Sequence, residues 1–86
     1  MAANVSLPIM APNIGKLLCS TRRTSRDIYH VYPAGSIFML TDVVSCNWWG
    51  EHRHAFKATL LLTDGFVGTY TFANTEIFFN LYEVYR

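Results

Sequence analysis

The sequence predicts a small all-β domain, and three observations support that prediction. Runs rich in β-branched and aromatic residues recur at spacings of roughly ten residues, which is typical of short strands joined by turns. The Asp64-Gly65 pair lies between two such runs and is the strongest hairpin signal in the chain. The length of 86 residues leaves room for one domain only. The Leu60–Gly65 strand and turn is therefore the expected centre of the fold.

The composition is that of a folded chain with an apolar surplus. Hydrophobic residues make up 51% of the sequence and charged residues 15%, which excludes intrinsic disorder. A small domain has much surface for its volume, so some of the six Phe, five Tyr and two Trp should be exposed or covered by a partner. The net charge of +1 gives no global attraction to nucleic acid. We therefore expect an interface with another protein or with a second copy.

Residues 1–13 are predicted to form an extended N-terminal arm, because Pro8 and Pro12 fix φ and lack an N–H donor. The arm lacks the basic start of a signal peptide. No apolar run approaches the roughly 20 residues of a membrane helix. Cys19 and Cys46 stand without CxxC spacing, which favours buried free thiols in a reducing compartment. We therefore expect a cytoplasmic protein with no membrane partner.

The rest of the chain, residues 14–86, is predicted to form a single β-barrel domain. A polar loop is expected at residues 22–27 in the long first connection, followed by a β-prone segment and the turn Pro33-Ala34-Gly35. Asp42 is expected to mark a bulge or bend in the long second strand. The five strands are expected at residues 14–21, 36–46, 56–63, 66–72 and 81–85.

Local patterns define the centre and the end of this domain. Alternation places Phe56, Ala58, Leu60 and Leu62 on one face of the third strand, which is the predicted core. The Asp-Gly pair that follows suits a type I′ turn, since both residues tolerate positive φ. Residues 74–79 begin with helix-capping residue types, but the stretch is too short for a stable helix. A short 3₁₀ turn is therefore predicted before the last strand.

This order of strands, turns and helical turn resembles that of SH3-like barrels. The resemblance covers roughly residues 14–86 and implies a small five-stranded barrel, without implying a ligand. A peptide-binding SH3 domain carries an acidic first loop and a proline before its last strand. This chain has Arg22, Arg23 and Arg26 in that loop and no proline after Pro33. A binding site for proline-rich peptides is therefore not expected.

The first loop groups three arginines, Arg22, Arg23 and Arg26, with Lys16 nearby. Guanidinium groups suit phosphate, a nucleic-acid backbone or an acidic protein surface. The alternative is a solvated loop without a ligand. The low net charge argues against tracking of an extended nucleic-acid backbone.

The stretch around two adjacent tryptophans is the most unusual part of the sequence. Neighbouring side chains in a strand point to opposite faces, so one indole can cap the barrel while the other faces outward. Aromatic and arginine side chains are enriched among interface hot spots. Stacking on a base and capping of the barrel end remain alternatives. The candidate partner-binding residues are Trp48, Trp49, His52 and Arg53.

The sequence gives no support for a metal centre or for catalysis. His52 and His54 share a strand face, but two histidines supply half the ligands of a closed zinc site. Cys46 has no strained turn or orienting third residue that would make it a nucleophile. We therefore expect no catalytic residue, no metal and no cofactor, and we do not expect an enzyme.

Three function hypotheses follow. The first is a non-enzymatic protein-binding module whose partner is a host protein or a second copy; small barrels of this size resemble phage proteins that bind and inhibit host machinery. The second is a nucleic-acid or nucleotide binder that uses the arginine loop and an exposed aromatic. The third is a self-associating structural subunit, with Phe78, Phe79 and Tyr85 on the edge of the last strand.

Overall fold

Strands dominate the fold, which consists of a five-stranded antiparallel sheet, a separate two-stranded ribbon and short helices. The computed structural model describes residues 4–25, 28–46 and 54–85. Neither helix in that part of the chain is long and apolar enough to cross a membrane. The elements are α1 (Ser6–Met10), a 3₁₀ turn (Ala11–Asn13), β1 (Leu17–Ser20), β2 (Thr24–Ser25), β3 (Val31–Tyr32), β4 (Ile37–Ser45), β5 (Phe56–Leu61), β6 (Val67–Phe72), α2 (Thr75–Leu81) and β7 (Tyr82–Val84).

The sheet has the strand order β6-β5-β4-β1-β7, with every neighbouring pair antiparallel. Strands β4, β5 and β6 follow one another along the chain, whereas β1 lies on the other side of β4 and β7 lies beside β1. The edge strands β6 and β7 do not pair with each other, so no closed barrel is found in the described part of the chain. The β2–β3 ribbon adds two strands to the five that were predicted.

The predicted bulge in the long second strand is confirmed. The register of β4 against β5 shifts between Leu40 and Asp42, which leaves Thr41 as the extra residue. Asp42 Oδ1 accepts a hydrogen bond of 2.9 Å from the N–H of Val43, which holds the local kink. A bulge increases the local twist of a strand. Strand β4 pairs with β1 at its start and with β5 from Met39 to Ser45.

The predicted hairpin at Asp64-Gly65 is present, but the predicted type I′ turn is wrong. Gly65 N–H donates to Leu62 C=O at 2.9 Å and Leu62 N–H donates to Phe66 C=O at 2.8 Å, so the loop has three residues instead of two. Asp64 Oδ1 accepts from Phe66 N–H at 3.0 Å, and Gly65 has a φ of +87°. This pattern is a three-residue hairpin loop that ends in a left-handed glycine.

The prediction of an extended N-terminal arm is wrong, because the described part of that arm is helical. Pro8 lies in the first turn of α1, where a missing N–H costs no helical hydrogen bond. Met10 is fully buried in the core. Ser6 Oγ donates to His54 C=O at 2.6 Å, and the N–H of Val5 donates to His54 Nδ1 at 3.3 Å. The segment is thus part of the domain.

The 3₁₀ turn predicted before the last strand is an α-helix of seven residues, α2. Asn74 caps it, since its Oδ1 accepts a hydrogen bond of 2.9 Å from Ile77 N–H. A helix this short is unstable alone, and tertiary packing provides the missing stability. Phe78 supplies that packing: its ring is fully buried and lies 5.0 Å from Phe72 and 5.1 Å from Tyr82, centroid to centroid.

The core lies on one side of the sheet, which we call the inner face. The predicted core positions of the third strand, Phe56, Ala58, Leu60 and Leu62, are all buried there, as expected from their alternation. Residues from the two helices and the ribbon complete the core. The other large members are Met10, Leu18, Tyr32, Phe38, Leu40, Phe72, Phe78 and Tyr82.

Candidate functional site: an aromatic cleft

A cleft of about 250 Å³ opens on the inner face of the sheet, beside the β2–β3 ribbon. We call it the aromatic cleft, because five of its lining residues are Tyr or Phe. Its walls come from both edges of the sheet and its floor from the central strands. The lining residues are Thr24, Ser25, Tyr32, Phe38, Leu60, Leu62, Tyr70, Thr71, Phe72, Leu81 and Tyr82.

The cleft exists because the helices cover only one end of the inner face. Strand β5 runs from Phe56, whose ring lies 5.8 Å from that of Phe78, towards Leu60 and Leu62 in the cleft. Met10 and Phe78 fill the space over the first end. At the second end the ribbon contributes Tyr32, which packs edge-on against Phe38 at 5.7 Å and leaves a gap towards β6.

The aromatic cleft has residues of β6 on one wall and residues at the end of α2 and the start of β7 on the other. Successive side chains in a strand point to opposite faces, yet the consecutive residues Tyr70, Thr71 and Phe72 all line the cleft. The side chain of Thr71 belongs to the outer face, so its backbone contributes to the lining. On the opposite wall, Leu81 and Tyr82 are also consecutive. The cleft therefore lies between residues of the two edge strands, which do not pair with each other.

A glycine positions one wall of the cleft. A Cβ placed on Gly68 would lie 2.6 Å from the hydroxyl oxygen of Tyr70 and 2.8 Å from its ring. The ring of Tyr70 therefore lies directly over Gly68, in space that any other side chain would take. Burial raises the pKa of Tyr82 to about 12, with the charge of Tyr70 as the second cause. Both tyrosines line the cleft.

The cleft has an uncharged lining with hydroxyl groups among its polar atoms. None of its lining residues is Asp, Glu, Lys or Arg. Thr24 and Ser25 supply aliphatic hydroxyls, and the hydroxyl of Tyr32 donates to Asp64 Oδ2 at 2.8 Å. That last bond ties the ribbon to the β5–β6 hairpin. Burying an unpaired charge here would be costly, so the cleft suits an uncharged group with an apolar body.

Two of the predicted arginines lie beside the cleft. Thr21 is held at the end of α2, since its N–H donates to Leu81 C=O at 2.8 Å and its Oγ1 to Asn80 C=O at 2.6 Å. Thr24 lines the cleft. Arg22 and Arg23 are both exposed and lie between Thr21, which is bonded to the cleft residue Leu81, and Thr24, which lines the cleft. The two arginines are therefore at most two residues along the chain from the cleft wall.

The remaining predicted partner-binding residues lie outside the described part of the chain. They are Arg26, Trp48, Trp49, His52 and Arg53. Within the described ranges, no group of three or more His, Cys, Asp or Glu side chains comes together as a metal site. Cys19 and Cys46 are free thiols, but both are half-buried, whereas full burial was expected.

The predicted position of Phe78 and Phe79 on the edge of the last strand is wrong, because both residues lie in helix α2. Phe78 is fully buried in α2, so it is not on the edge of the last strand. Phe79 lies in the same helix, half-buried, with its ring 5.3 Å from that of Phe78. Tyr85, which follows β7, is 55% exposed and remains accessible.

Tyr85 belongs to an apolar row on the outer face of the sheet. Its N–H donates to Leu17 C=O at 2.9 Å, and the strand registers place Leu17 opposite Met39, Met39 opposite Leu61, and Leu61 opposite Val67. Residues opposite each other in antiparallel strands share a face. The outer face therefore carries five apolar side chains in a line, with Leu17, Val67 and Tyr85 exposed.

Sequence reasoning missed the aromatic cleft. Its residues come from separate elements, and their approach depends on the pairing of β7 with β1. The local signal was the alternation of Gly68, Tyr70 and Phe72, which places a small residue and two aromatics on the inner face of an edge strand. Comparison of the chain with protein-family models, with curated proteins and with solved structures gives no match in any of the three.

Proposed function

We propose that this chain is a non-enzymatic protein-binding module, and that the aromatic cleft receives uncharged apolar side chains of the partner. The observation that carries the proposal is the cleft itself: a preformed, uncharged, aromatic-lined space of about 250 Å³ on an otherwise well-packed inner face. Aromatic residues around a dry pocket are typical of the centres of protein interfaces.

The size of the cleft favours side chains over a free small molecule. Small-molecule sites usually enclose roughly 300–1,000 Å³ and combine an apolar lining with convergent polar groups that fix orientation. This cleft is smaller and contains no charged lining residue. A volume of this size suits one or two aliphatic or aromatic side chains, presented by a partner whose backbone stays near the rim.

We also propose that the fold is an SH3-like arrangement of strands that is not closed into a barrel, with an open seam where two edge strands do not pair. Its support is the strand order β6-β5-β4-β1-β7, with α2 immediately before the last strand and the ribbon inserted in the first connection. In this interpretation the seam lies between β6 and β7. The binding site then lies in the seam, and the proline-rich ligands of SH3 domains are not its ligands.

The test is selection of binders from a displayed library of random decapeptides, followed by measurement of their affinity by fluorescence anisotropy. Ser25→Trp places a large side chain at the exposed rim of the cleft without removing any core packing. Ala34→Trp adds the same side chain at an exposed turn position that does not line the cleft. It serves as the matched control.

We expect peptides with apolar residues to be selected and Ser25→Trp to weaken them by about tenfold or more, which corresponds to roughly 1.4 kcal/mol. Ala34→Trp should leave the affinity within about twofold of the unsubstituted chain. Equal affinities for the two variants would contradict the proposal, as would the failure of the library to give any binder.

A further inference from the structure

The free edge of β6 offers backbone hydrogen-bonding groups beside the aromatic cleft. Leu62 N–H donates to Phe66 C=O, which makes this the first hydrogen-bonded pair of the β5–β6 ladder. Hydrogen-bonded pairs alternate along an antiparallel ladder. The N–H and C=O groups of Val67, Thr69 and Thr71 therefore point away from β5. Among the described strands, β6 pairs with β5 alone, so these groups have no strand partner.

This edge and the cleft are one continuous surface. Thr71 lines the cleft although its side chain belongs to the outer face, where Lys57 lies opposite it. The backbone of Thr71 therefore contributes to the lining, and Thr71 is one of the residues whose N–H and C=O point away from β5. A strand added beside β6 would place every second side chain on the inner face, which is where the cleft opens.

We infer that the partner contributes an extended segment that pairs with the edge of β6 and inserts alternate uncharged apolar side chains into the aromatic cleft. This inference rests on the proposed function and specifies its binding mode. Strand addition gives affinity through main-chain hydrogen bonds and specificity through the pockets for alternate side chains. Edge strand β6 has six residues, whereas the other edge, β7, has three.

The charge beside the cleft specifies a further property of the segment. Arg22 and Arg23 are exposed next to the cleft wall, and the lining itself is uncharged. An acidic residue adjoining the inserted side chains would pair with these guanidinium groups. Strand β6 contains no acidic residue, and β7 has its one acidic residue, Glu83, in the middle of a three-residue strand. Neither edge strand of a second copy would therefore supply an acidic residue at the end of an apolar stretch. The occupant is therefore a segment of a different protein, β-prone and acidic at one end of its apolar stretch.

The first test uses the selected decapeptide and changes its backbone one position at a time. N-methylation removes a single N–H donor and leaves the side chain in place. Strand addition predicts that methylation at every second residue weakens binding by about tenfold and that the intervening positions tolerate it. Replacing the acidic residue of the peptide by its amide should also weaken binding, and this loss should disappear in the Arg22→Gln/Arg23→Gln double variant.

The second test changes the protein. Thr69→Pro removes an N–H that faces away from β5, at an edge position where proline is tolerated. Thr69→Ala loses the same side-chain contact with Thr59 but keeps the N–H, and is the matched control. We expect about tenfold weaker binding for the proline variant and little change for the alanine variant. Because the N-methyl series leaves the protein unchanged, it decides the question even if the proline variant fails to fold.

The outcomes separate this inference from the proposed function. If Ser25→Trp blocks the peptide but no N-methylation weakens it, the cleft binds side chains and strand addition is wrong. If Ser25→Trp has no effect, both proposals fail. If the unbound chain sediments as a dimer that Thr69→Pro dissociates, the occupant is a second copy, which overturns the assignment to a different protein.

Discussion

The two ends of the inner face are lined by similar residues and differ in what covers them. At the closed end, Met10 from α1 and Phe78 from α2 are fully buried in the core, and the Phe78 ring packs against Phe56. At the open end, Tyr32 and Tyr70 flank a cleft of about 250 Å³. The chain therefore uses aromatic side chains to complete its core at one end and to line a cavity at the other.

The difference lies in the covering elements. Each of the two helices places a large apolar side chain over the sheet, whereas the ribbon is only two residues per strand and contributes one ring, that of Tyr32. Interiors are close-packed, and voids larger than a water molecule are few in a domain. The closed end follows this rule, and the open end is the part of the inner face to which our proposal assigns the partner.

The largest effect should come from truncation at the closed end. Phe78→Ala removes a fully buried ring that contacts Phe56, Phe72 and Tyr82, and should lower the free energy of unfolding by about 3–5 kcal/mol. Ile77→Ala, one residue earlier and 43% exposed, is the control and should cost less than about 1 kcal/mol. Urea denaturation measures both.

A loss of that size could unfold so small a domain, so Phe78→Leu provides a milder version of the same change. It should fold and should still be less stable than Ile77→Ala. Equal stabilities for the variants at positions 77 and 78 would contradict the burial of Phe78 in the core at the closed end.

An intermediate effect should come from Tyr82, whose ring contacts both ends: it lies 5.1 Å from Phe78 and also lines the cleft. Burial raises the pKa of Tyr82 to about 12 in the folded chain, above the ordinary value of 10.0. Its phenol stays protonated in the folded state while the unfolded chain ionises. Its contribution to stability is therefore complete below pH 10 and is lost as the pH rises to 12.

The measurement is the free energy of unfolding from pH 9 to pH 12, compared between the unsubstituted chain and Tyr82→Phe. The other tyrosines ionise in both proteins, so the difference isolates Tyr82. The unsubstituted chain should lose more stability over this range. Parallel curves would mean that the pKa of Tyr82 is not raised in the folded chain, which would contradict the burial of its ring.

The smallest effect on stability should come from Gly68→Ala at the open end. The added methyl would meet the hydroxyl end of the Tyr70 ring, which can swing away into the cleft. We expect a change in stability below about 1 kcal/mol, together with displaced NMR signals from Tyr70 and weaker binding of the selected peptide. A large loss of stability with unchanged peptide binding would place Tyr70 in the core and outside the binding site.

The strands and the core of the central hairpin could be predicted because their signals are local. Alternation from Phe56 to Leu62 and the Asp-Gly pair are properties of neighbouring residues, and the bulge at Asp42 followed from one polar residue in an apolar run. The helices were missed because each is short and depends on contacts with distant residues, such as those of Met10 in α1 and of Phe78 in α2.

The candidate site could be predicted only in part. The arginine loop was visible as a cluster of guanidinium groups, and Arg22 and Arg23 do adjoin the cleft. The cleft itself was not visible, because it forms where β6 and β7 approach each other from opposite edges of the sheet. That approach depends on long-range pairing, which no local pattern encodes.

The most direct test of the account is a map of amide chemical-shift changes in the ¹⁵N-labelled chain on addition of the selected peptide. We expect the largest changes at the open end and along the free edge, at Ser25, Thr69 and Thr71, with little change at Met10 in the closed end. Changes confined to the outer row, at Leu17 and Met39, would contradict the assignment of the aromatic cleft as the binding site.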